Sequence, residues 1–270
     1  MRLGLGSYAC AWAIGVPGSR PAVPLDAVGL IRRAAELDLG LVQIADNLPL
    51  ETLPAGEIAA IRRAANSAGV ALELGTRGIS PAHLRRMFEL CGEFDCGLLR
   101  VVVDTADHHA SPEEVIDAVV GLTGELERLG IVLAIENHDW FPAARLASIV
   151  EAIDSPNVGI CLDTVNSFGC LEGPEFVVGA LRRFVVNLHL KDFTVRRASH
   201  MMGFEIIGTP AGQGRLDIPW LLAQLRAAGR DPNAILELWP APEHSIDATV
   251  AKEGDWARSS VQFLRTLIPD

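Results

Sequence analysis

The chain has 270 residues, of which 49% are hydrophobic and 21% charged, so it can bury a full core without disulfides. A formal net charge of −11 argues against nucleic acid or an acidic membrane as partner, because a negative field repels phosphate. The five cysteines form no CxxC pair, and no signal peptide or bilayer-spanning run is recognisable, so we expect a cytoplasmic protein with reduced thiols.

Strand-like and helix-like segments alternate along the whole chain. Short apolar runs predict eight strands, at 2–6, 40–45, 70–75, 98–103, 131–136, 158–163, 185–189 and 234–238. Amphipathic helical patterns lie between them. The units repeat at about 30 residues, the size of one βα unit, and predict a single (β/α)₈ TIM barrel over residues 1–270. An open doubly wound sheet is disfavoured because no GxGxxG follows the first strand.

The helices carry recognisable start and stop signals. Asp26 after Pro24 and the pair Ser111-Pro112, followed by Glu113 and Glu114, are typical of helix N-termini. Glycines that can adopt a left-handed cap are predicted to end five helices, namely Gly40, Gly69, Gly97, Gly130 and Gly229.

One long segment, 190–216, separates the seventh predicted strand from its helix. It is rich in Arg, His, Met and Gly, and it leaves from the end of the barrel where active sites lie. Loops of this length are uncommon unless they are functional or disordered. We interpret it as a loop that covers the substrate, with a purely structural insertion as the alternative.

Four polar residues stand at or near the C-terminal ends of the last four predicted barrel strands. The apolar runs IVLAIE, VGICLD, VVNLH and AILE end in Glu136, Asp163, His189 and Glu237. A single charged residue often marks only the point where a strand meets solvent. Four ligand types in succession favour a site at the sheet's rim that holds one divalent metal ion. An oxygen-rich set with one imidazole suits Mn²⁺, Mg²⁺ or Co²⁺ better than structural Zn²⁺.

The segments IENHD, GICLDTVNS, NLHLKDF and LELW resemble the four metal-ligand motifs of the xylose-isomerase-like sugar isomerase/epimerase superfamily. Ketose 3-epimerases, hydroxypyruvate isomerase, inosose dehydratase and 3-oxo-isoapionate decarboxylase belong to that superfamily. The resemblance extends to GLGSYA and GQGRLDIPWLL, and so covers nearly the whole chain. It implies a TIM barrel with a divalent ion on Glu136, Asp163, His189 and Glu237. In the epimerases the first and last ligands also move the proton, which would make Glu136 and Glu237 the catalytic acid/base pair.

One position departs from the family pattern. Many members have a His three residues after the metal-binding Asp, where this chain has Asn166. Asn can hydrogen-bond a hydroxyl but cannot titrate. The change argues against standard ketose epimerisation and favours altered chemistry.

Four other residues are candidates for substrate binding alongside Asn166. Lys191 shares a strand face with His189, Arg196 lies in the long loop, His138 follows Glu136 by two residues, and Trp12 could form a pocket wall. For each of them, the alternative is an ordinary surface or core position with no role in binding.

The leading functional hypothesis is a metal-dependent isomerase or epimerase that acts on a small polyhydroxylated carbonyl compound through an enediolate. The alternative is a lyase on the same scaffold, a 3-oxo sugar acid decarboxylase or a keto-sugar dehydratase, for which the substrate would be anionic. An endonuclease IV-type repair enzyme is disfavoured by the acidic charge, and a non-catalytic barrel by the intact ligand set. The apolar late helices permit a homodimer or tetramer.

Overall fold

The computed structural model describes residues 1–269 and confirms the predicted barrel. Its strands, in chain order, are β1 Leu3–Gly6, β2 Leu41–Ile44, β3 Ala71–Arg77, β4 Leu98–Val102, β5 Val132–Glu136, β6 Val158–Asp163, β7 Val185–Leu190, β8 Asp192–Arg197, β9 Phe204–Thr209 and β10 Asn233–Leu236. Eight of them close a parallel barrel in the order β1-β10-β7-β6-β5-β4-β3-β2. The predicted strand positions agree to within two residues at each end.

Helices surround the barrel and cover its apolar outer face. They are α1 Ala11–Ile14, α2 Ala27–Glu36, α3 Ala55–Ala68, α4 Pro81–Phe94, α5 Pro112–Val120, α6 Thr123–Leu129, α7 Ala143–Ile153, α8 Pro174–Leu181, α9 Ile218–Ala227 and α10 Ile246–Leu264. Short 3₁₀ turns lie at Ser7–Cys10, Leu50–Thr52, Asn166–Cys170 and Arg182–Phe184. Among the described residues, no helix combines the length and the hydropathy needed to cross a bilayer.

The predicted helix starts are confirmed by their caps. The Asp26 carboxylate accepts from Gly29 N at the start of α2, and Ser111 forms a reciprocal capping box with Glu114 at the start of α5. These bonds satisfy backbone donors that the first turn of a helix leaves unpaired.

The predicted helix ends are confirmed at three glycines and wrong at two. Gly69, Gly130 and Gly229 adopt the left-handed conformation. At the other two ends Asp38 and Asp95 adopt it instead, each two residues before the predicted glycine. Aspartate tolerates this region because its short side chain can hydrogen-bond locally, so glycine is not required there.

The long segment after β7 is an ordered hairpin for most of its length. Strands β8 and β9 pair antiparallel, with Arg196 opposite Glu205. The buried Asp192 anchors the hairpin's base, because its carboxylate accepts from the backbone N–H groups of Gly212, Gly214 and Leu216. The long segment predicted after the seventh barrel strand is therefore present, and most of it folds as a hairpin; its role in covering the substrate stays a prediction.

Candidate metal centre and active site

Four consecutive barrel strands, β5, β6, β7 and β10, bring the predicted ligands to one end of the barrel. Glu136 and Asp163 end their strands, His189 lies opposite Asp163 in the β6–β7 register, and Glu237 directly follows β10. All four side chains are buried. Gly6 on β1 allows the close approach of Glu237, because a Cβ at position 6 would lie 3.1 Å from Glu237 Cγ.

The ligand-type atoms converge on one imidazole nitrogen. His189 Nδ1 lies 3.3 Å from Glu237 Oε1, 3.5 Å from Glu136 Oε2 and 3.8 Å from Asp163 Oδ2. All four atoms are buried. Glu237 Oε1 and His189 Nδ1 have no hydrogen-bond donor, whereas Glu136 Oε2 and Asp163 Oδ2 lie within ion-pair distance of Arg100 and Lys191. Neighbouring ligands of a six-coordinate ion held at about 2.1 Å lie about 3 Å apart, so the spacing fits a small divalent cation after slight adjustment. Unsatisfied buried acceptors are rare in folded proteins, and a cation would satisfy Glu237 Oε1 and His189 Nδ1.

His189 is in the protonation state that a metal ligand needs. Burial lowers the pKa of its imidazole well below the usual value, and nearby Arg100 lowers it further. The neutral ring donates from Nε2 to Gln43 Oε1 at 2.7 Å, which leaves the Nδ1 lone pair facing the carboxylates.

Two cations, the buried Arg100 and the partly exposed Lys191, balance the carboxylates. Arg100 Nε lies 3.0 Å from Glu136 Oε2, and Lys191 Nζ lies 2.8 Å from both Asp163 Oδ2 and Glu237 Oε2. Burial alone would lower the pKa of Lys191, but the surrounding carboxylates raise it above the usual value, so the amine stays charged. Burial raises the pKa of Glu136 to about 8, against the opposing effect of Arg100.

Asn166, where the family pattern has His, links the two halves of this cluster. Its Nδ2 donates to Glu136 Oε1 at 2.7 Å, and its Oδ1 accepts from Lys191 Nζ at 3.4 Å. Its backbone N–H also donates to Asp163 Oδ1 at 2.8 Å. The side chain therefore orients one predicted base and one cation, and Glu136 is held from two sides, by Asn166 and Arg100.

A cavity of about 160 Å³ opens above the cluster, large enough for a small molecule only. Its lining consists of Tyr8, Asp46, Arg77, Arg100, Val102, Glu136, His138, Asn166, Lys191 and Glu237. Arg77 stands on its rim, with Nη1 3.1 Å from Asp104 Oδ2 and about a third of the side chain exposed. Three cations thus face one small polar cavity.

The predicted substrate residues fall into two groups. Asn166, Lys191 and His138 line the cavity. Arg196 is exposed on the hairpin, where it pairs with Glu205 at 2.8 Å, and Trp12 donates its indole N–H to Pro240 O at 2.9 Å. Neither of these two is among the residues that line the cavity.

Sequence reasoning missed the buried Arg100 and the rim Arg77. Arg100 interrupts the apolar run LLRVV in the middle of β4, and an arginine inside a buried strand is itself a signal because a buried charge needs a partner. Its partner Asp46 also accepts from the Tyr8 hydroxyl at 2.9 Å. Burial opposes the ionisation of Asp46, but Arg100 and Tyr8 outweigh it and lower the pKa of Asp46.

Comparisons with known proteins agree on the TIM barrel fold of this chain. The sequence profile of the xylose isomerase-like TIM barrel family matches residues 31–267. A 3-oxo-isoapionate decarboxylase of Pectobacterium atrosepticum is 34% identical over 269 residues, which cover all of this chain and 97% of that one. D-Psicose 3-epimerase from Clostridium cellulolyticum, solved with D-tagatose, superposes with a TM-score of 0.75 at 16% identity over 99% of each chain. A TIM barrel protein from Mycobacterium smegmatis, solved with magnesium, gives 0.70 at 13% identity over 97% of each.

Proposed function

Because the chain belongs to the xylose isomerase-like TIM barrel family, whose relatives include sugar-modifying enzymes, we propose that it is a metal-dependent decarboxylase of a small 3-oxo sugar acid. The observation that carries the proposal is the group of three cations, Arg77, Arg100 and Lys191, that face one small cavity. A neutral ketose offers them no anionic partner, whereas the carboxylate of a sugar acid does. The relative at 34% identity, which is named for decarboxylation of an oxo acid, supports this reading.

The ligand set determines the charge that a substrate meets. Glu136, Asp163, His189 and Glu237 would hold one divalent cation, such as Mn²⁺, Mg²⁺ or Co²⁺, because their carboxylate oxygens converge on His189 Nδ1. When bound, such an ion supplies Lewis-acid stabilisation of negative charge on a carbonyl oxygen. The four carboxylates, which include Asp46 on the cavity wall, are then outweighed by the ion together with Arg77, Arg100 and Lys191. The resulting positive surplus favours an anionic substrate.

Decarboxylation requires residues of this chain to bind the substrate carboxylate and to deliver a proton to the carbon that loses CO₂. Loss of CO₂ from a 3-oxo acid breaks the bond between the carboxyl carbon and the adjacent carbon, and the electron pair passes into an enolate. That carbon must then receive a proton. Lys191 lines the cavity and stays charged, so it can bind the departing carboxylate and afterwards donate the proton. Glu237, 2.8 Å from the Lys191 amine, holds it in place, and the amine regains its proton from solvent.

The second candidate is epimerisation or isomerisation through an enediolate. It is favoured by Glu136 and Glu237, which line the cavity from different strands as an acid/base pair would. It is disfavoured because Arg100 and Asn166 both hold the Glu136 carboxylate, which a mobile base would need free.

One assay separates the two functions. The metal-loaded protein is incubated in D₂O with 3-oxo sugar acids and with ketoses, and CO₂ and deuterium incorporation are followed together. We expect CO₂ release from an acid, with one deuterium at the vacated carbon. Deuterium next to a ketose carbonyl without CO₂ would overturn the decarboxylase in favour of the isomerase. No turnover of either class would contradict both.

A further inference from the structure

A layer of three amides, of which Asn233 is only half-buried, and one buried carboxylate lies beneath the predicted metal ligands, in the barrel's interior. Gln43 on β2, Glu73 on β3, Asn187 on β7 and Asn233 on β10 supply it. Gln43 Nε2 donates to Glu73 Oε2 at 3.1 Å and to Asn187 Oδ1 at 3.0 Å. Since β1 and β10 separate β2 from β7 around the barrel, the second bond crosses the interior. The reaction as derived makes no use of this layer.

The side-chain amide of Asn233 is oriented by one backbone group. Arg2 N–H can only donate, and it donates to Asn233 Oδ1 at 3.2 Å, so Asn233 Nδ2 faces Glu73 Oε1 at 2.7 Å. Asn187 Nδ2 donates to the other carboxylate oxygen at 2.9 Å. Glu73 is thus surrounded by N–H groups and accepts from all of them.

Glu73 and Asn187 in turn determine which way the Gln43 amide points. If the amide were reversed, its oxygen would face the Glu73 carboxylate and Asn187 Oδ1, and three acceptors would be left in contact without a proton. The observed orientation gives two hydrogen bonds instead. It also aims Gln43 Oε1, which can only accept, at His189 Nε2.

We propose that Gln43 is a positioning residue that locks His189 as the Nε2–H tautomer and so keeps Nδ1 free as a metal ligand. A neutral imidazole in water exchanges between two tautomers, and the Nδ1–H form could donate to Glu237 Oε1, 3.3 Å away, without ligating any ion. Gln43 prevents this because its oxygen requires a proton on Nε2. Glu73 supports the lock from behind by orienting Gln43. The inference rests on the metal site of the proposed function and not on the reaction.

The tautomer can be read directly in the wild-type protein. Protein labelled with ¹⁵N-histidine is studied by long-range ¹H–¹⁵N correlation, chelator-treated and with Mg²⁺, and a His189→Asn variant assigns the resonances. We expect a single Nε2–H tautomer of His189 in both states. An Nδ1–H tautomer, or exchange between the two, in the chelator-treated protein overturns the lock. This reading does not depend on whether any Gln43 variant folds.

Two variants test whether the lock governs metal binding. Gln43→Met keeps the approximate volume but removes the acceptor, and we expect Mn²⁺ affinity, measured by EPR of the free ion, to fall about 10–100-fold. Asn233→Ala removes a hydrogen bond from the same layer but leaves the contact between Gln43 and His189, so its Mn²⁺ affinity should stay near the wild-type value. Equal losses in both variants would mean that the layer acts only through stability. Wild-type protein that binds Mn²⁺ but releases no CO₂ would overturn the proposed reaction and leave the lock intact.

Discussion

At the scale of single residues, surroundings decide the chemistry of two similar cations. Lys191 and Arg196 are five positions apart, and both were predicted to bind substrate. Lys191 lies between two carboxylates of the candidate metal centre, whereas Arg196 projects from the hairpin and pairs with Glu205. Exposed pairs of the second kind contribute little, because water and salt screen them.

Replacing each cation tests this contrast. Lys191→Met should lower kcat/KM for CO₂ release by about 10²–10⁴-fold, because it removes the proposed carboxylate ligand and proton donor. Arg196→Met should stay within about threefold of wild type, as for an exposed ion pair. Mn²⁺ affinity should not fall in Lys191→Met, because the lysine is a positive charge beside the ligands. If Arg196→Met lowered kcat/KM more than Lys191→Met, the substrate carboxylate would have to bind at the hairpin rather than at Lys191.

Residues at strand ends and residues within strands differed in how far sequence could predict them. Glu136 and Asp163 each end a buried apolar run, so few positions other than the barrel rim were open to them. Gln43 and Asn187 sit inside such runs, and their roles depend on a contact between residues 144 positions apart. Periodicity in one segment carries no information about which distant strand supplies the partner.

At the scale of elements, the hairpin of β8 and β9 is held by a compact anchor at its base. The Asp192 carboxylate lies against Gly214, where a Cβ would collide with the carboxylate oxygen and with Phe193 O. Sequence predicted a loop here because no run of four apolar residues marks either of the two six-residue strands. The pairing of Arg196 with Glu205 becomes visible only once the register is known.

Gly214→Ala should therefore weaken the hairpin. We expect a loss of about 1–3 kcal/mol in the free energy of unfolding, because backbone and a buried carboxylate must shift to admit the methyl group. Amide exchange of β8 and β9 should accelerate. Gly203→Ala in the same hairpin is the matched control, since its Cβ would meet nothing closer than His200 Cε1 at 3.8 Å. Equal urea midpoints for the two variants would contradict the anchor.

A second link between elements depends on pH. Glu253 of α10 accepts from Trp12 N at 2.8 Å and Ala13 N at 3.0 Å in α1. Burial raises the pKa of Glu253 from 4.5 to about 7, against these two hydrogen bonds. The folded protein therefore holds this proton more tightly than the unfolded chain. The stability that the group contributes is complete below pH 4.5 and declines as the pH rises to about 7.

The Glu253→Gln variant removes this dependence. Between pH 4.5 and 7.5, the free energy of unfolding of this variant should rise relative to that of wild type by on the order of 3 kcal/mol. The loss of hydrogen bonding to Trp12 and Ala13 lowers its stability by an amount that does not vary with pH. Urea unfolding of both proteins across that range measures the change. A difference that does not vary with pH would show that Glu253 does not titrate in this window.

At the scale of the whole molecule, the barrel was predictable because eight apolar runs and their helices repeat with one period. Closure then follows from the strand order, and it brings β5, β6, β7 and β10 side by side at the site. The proposed choice between lyase and isomerase was less predictable, since it rests on Arg77 and Arg100, which line the same cavity from different strands. In a protein with a net charge of −11, three cations in one small cavity are the feature on which the proposal of an anionic substrate rests.

The most direct test of the central claim is a calorimetric titration of Mn²⁺ into chelator-treated protein, wild type and Asp163→Asn. Asp163 offers the predicted ion a buried oxygen that lies 3.8 Å from His189 Nδ1, and the asparagine keeps its shape without its charge. We predict one ion per wild-type chain and an affinity at least about tenfold weaker in the variant. No binding to the wild type, or equal binding to both proteins, would contradict a metal centre at these four strand ends.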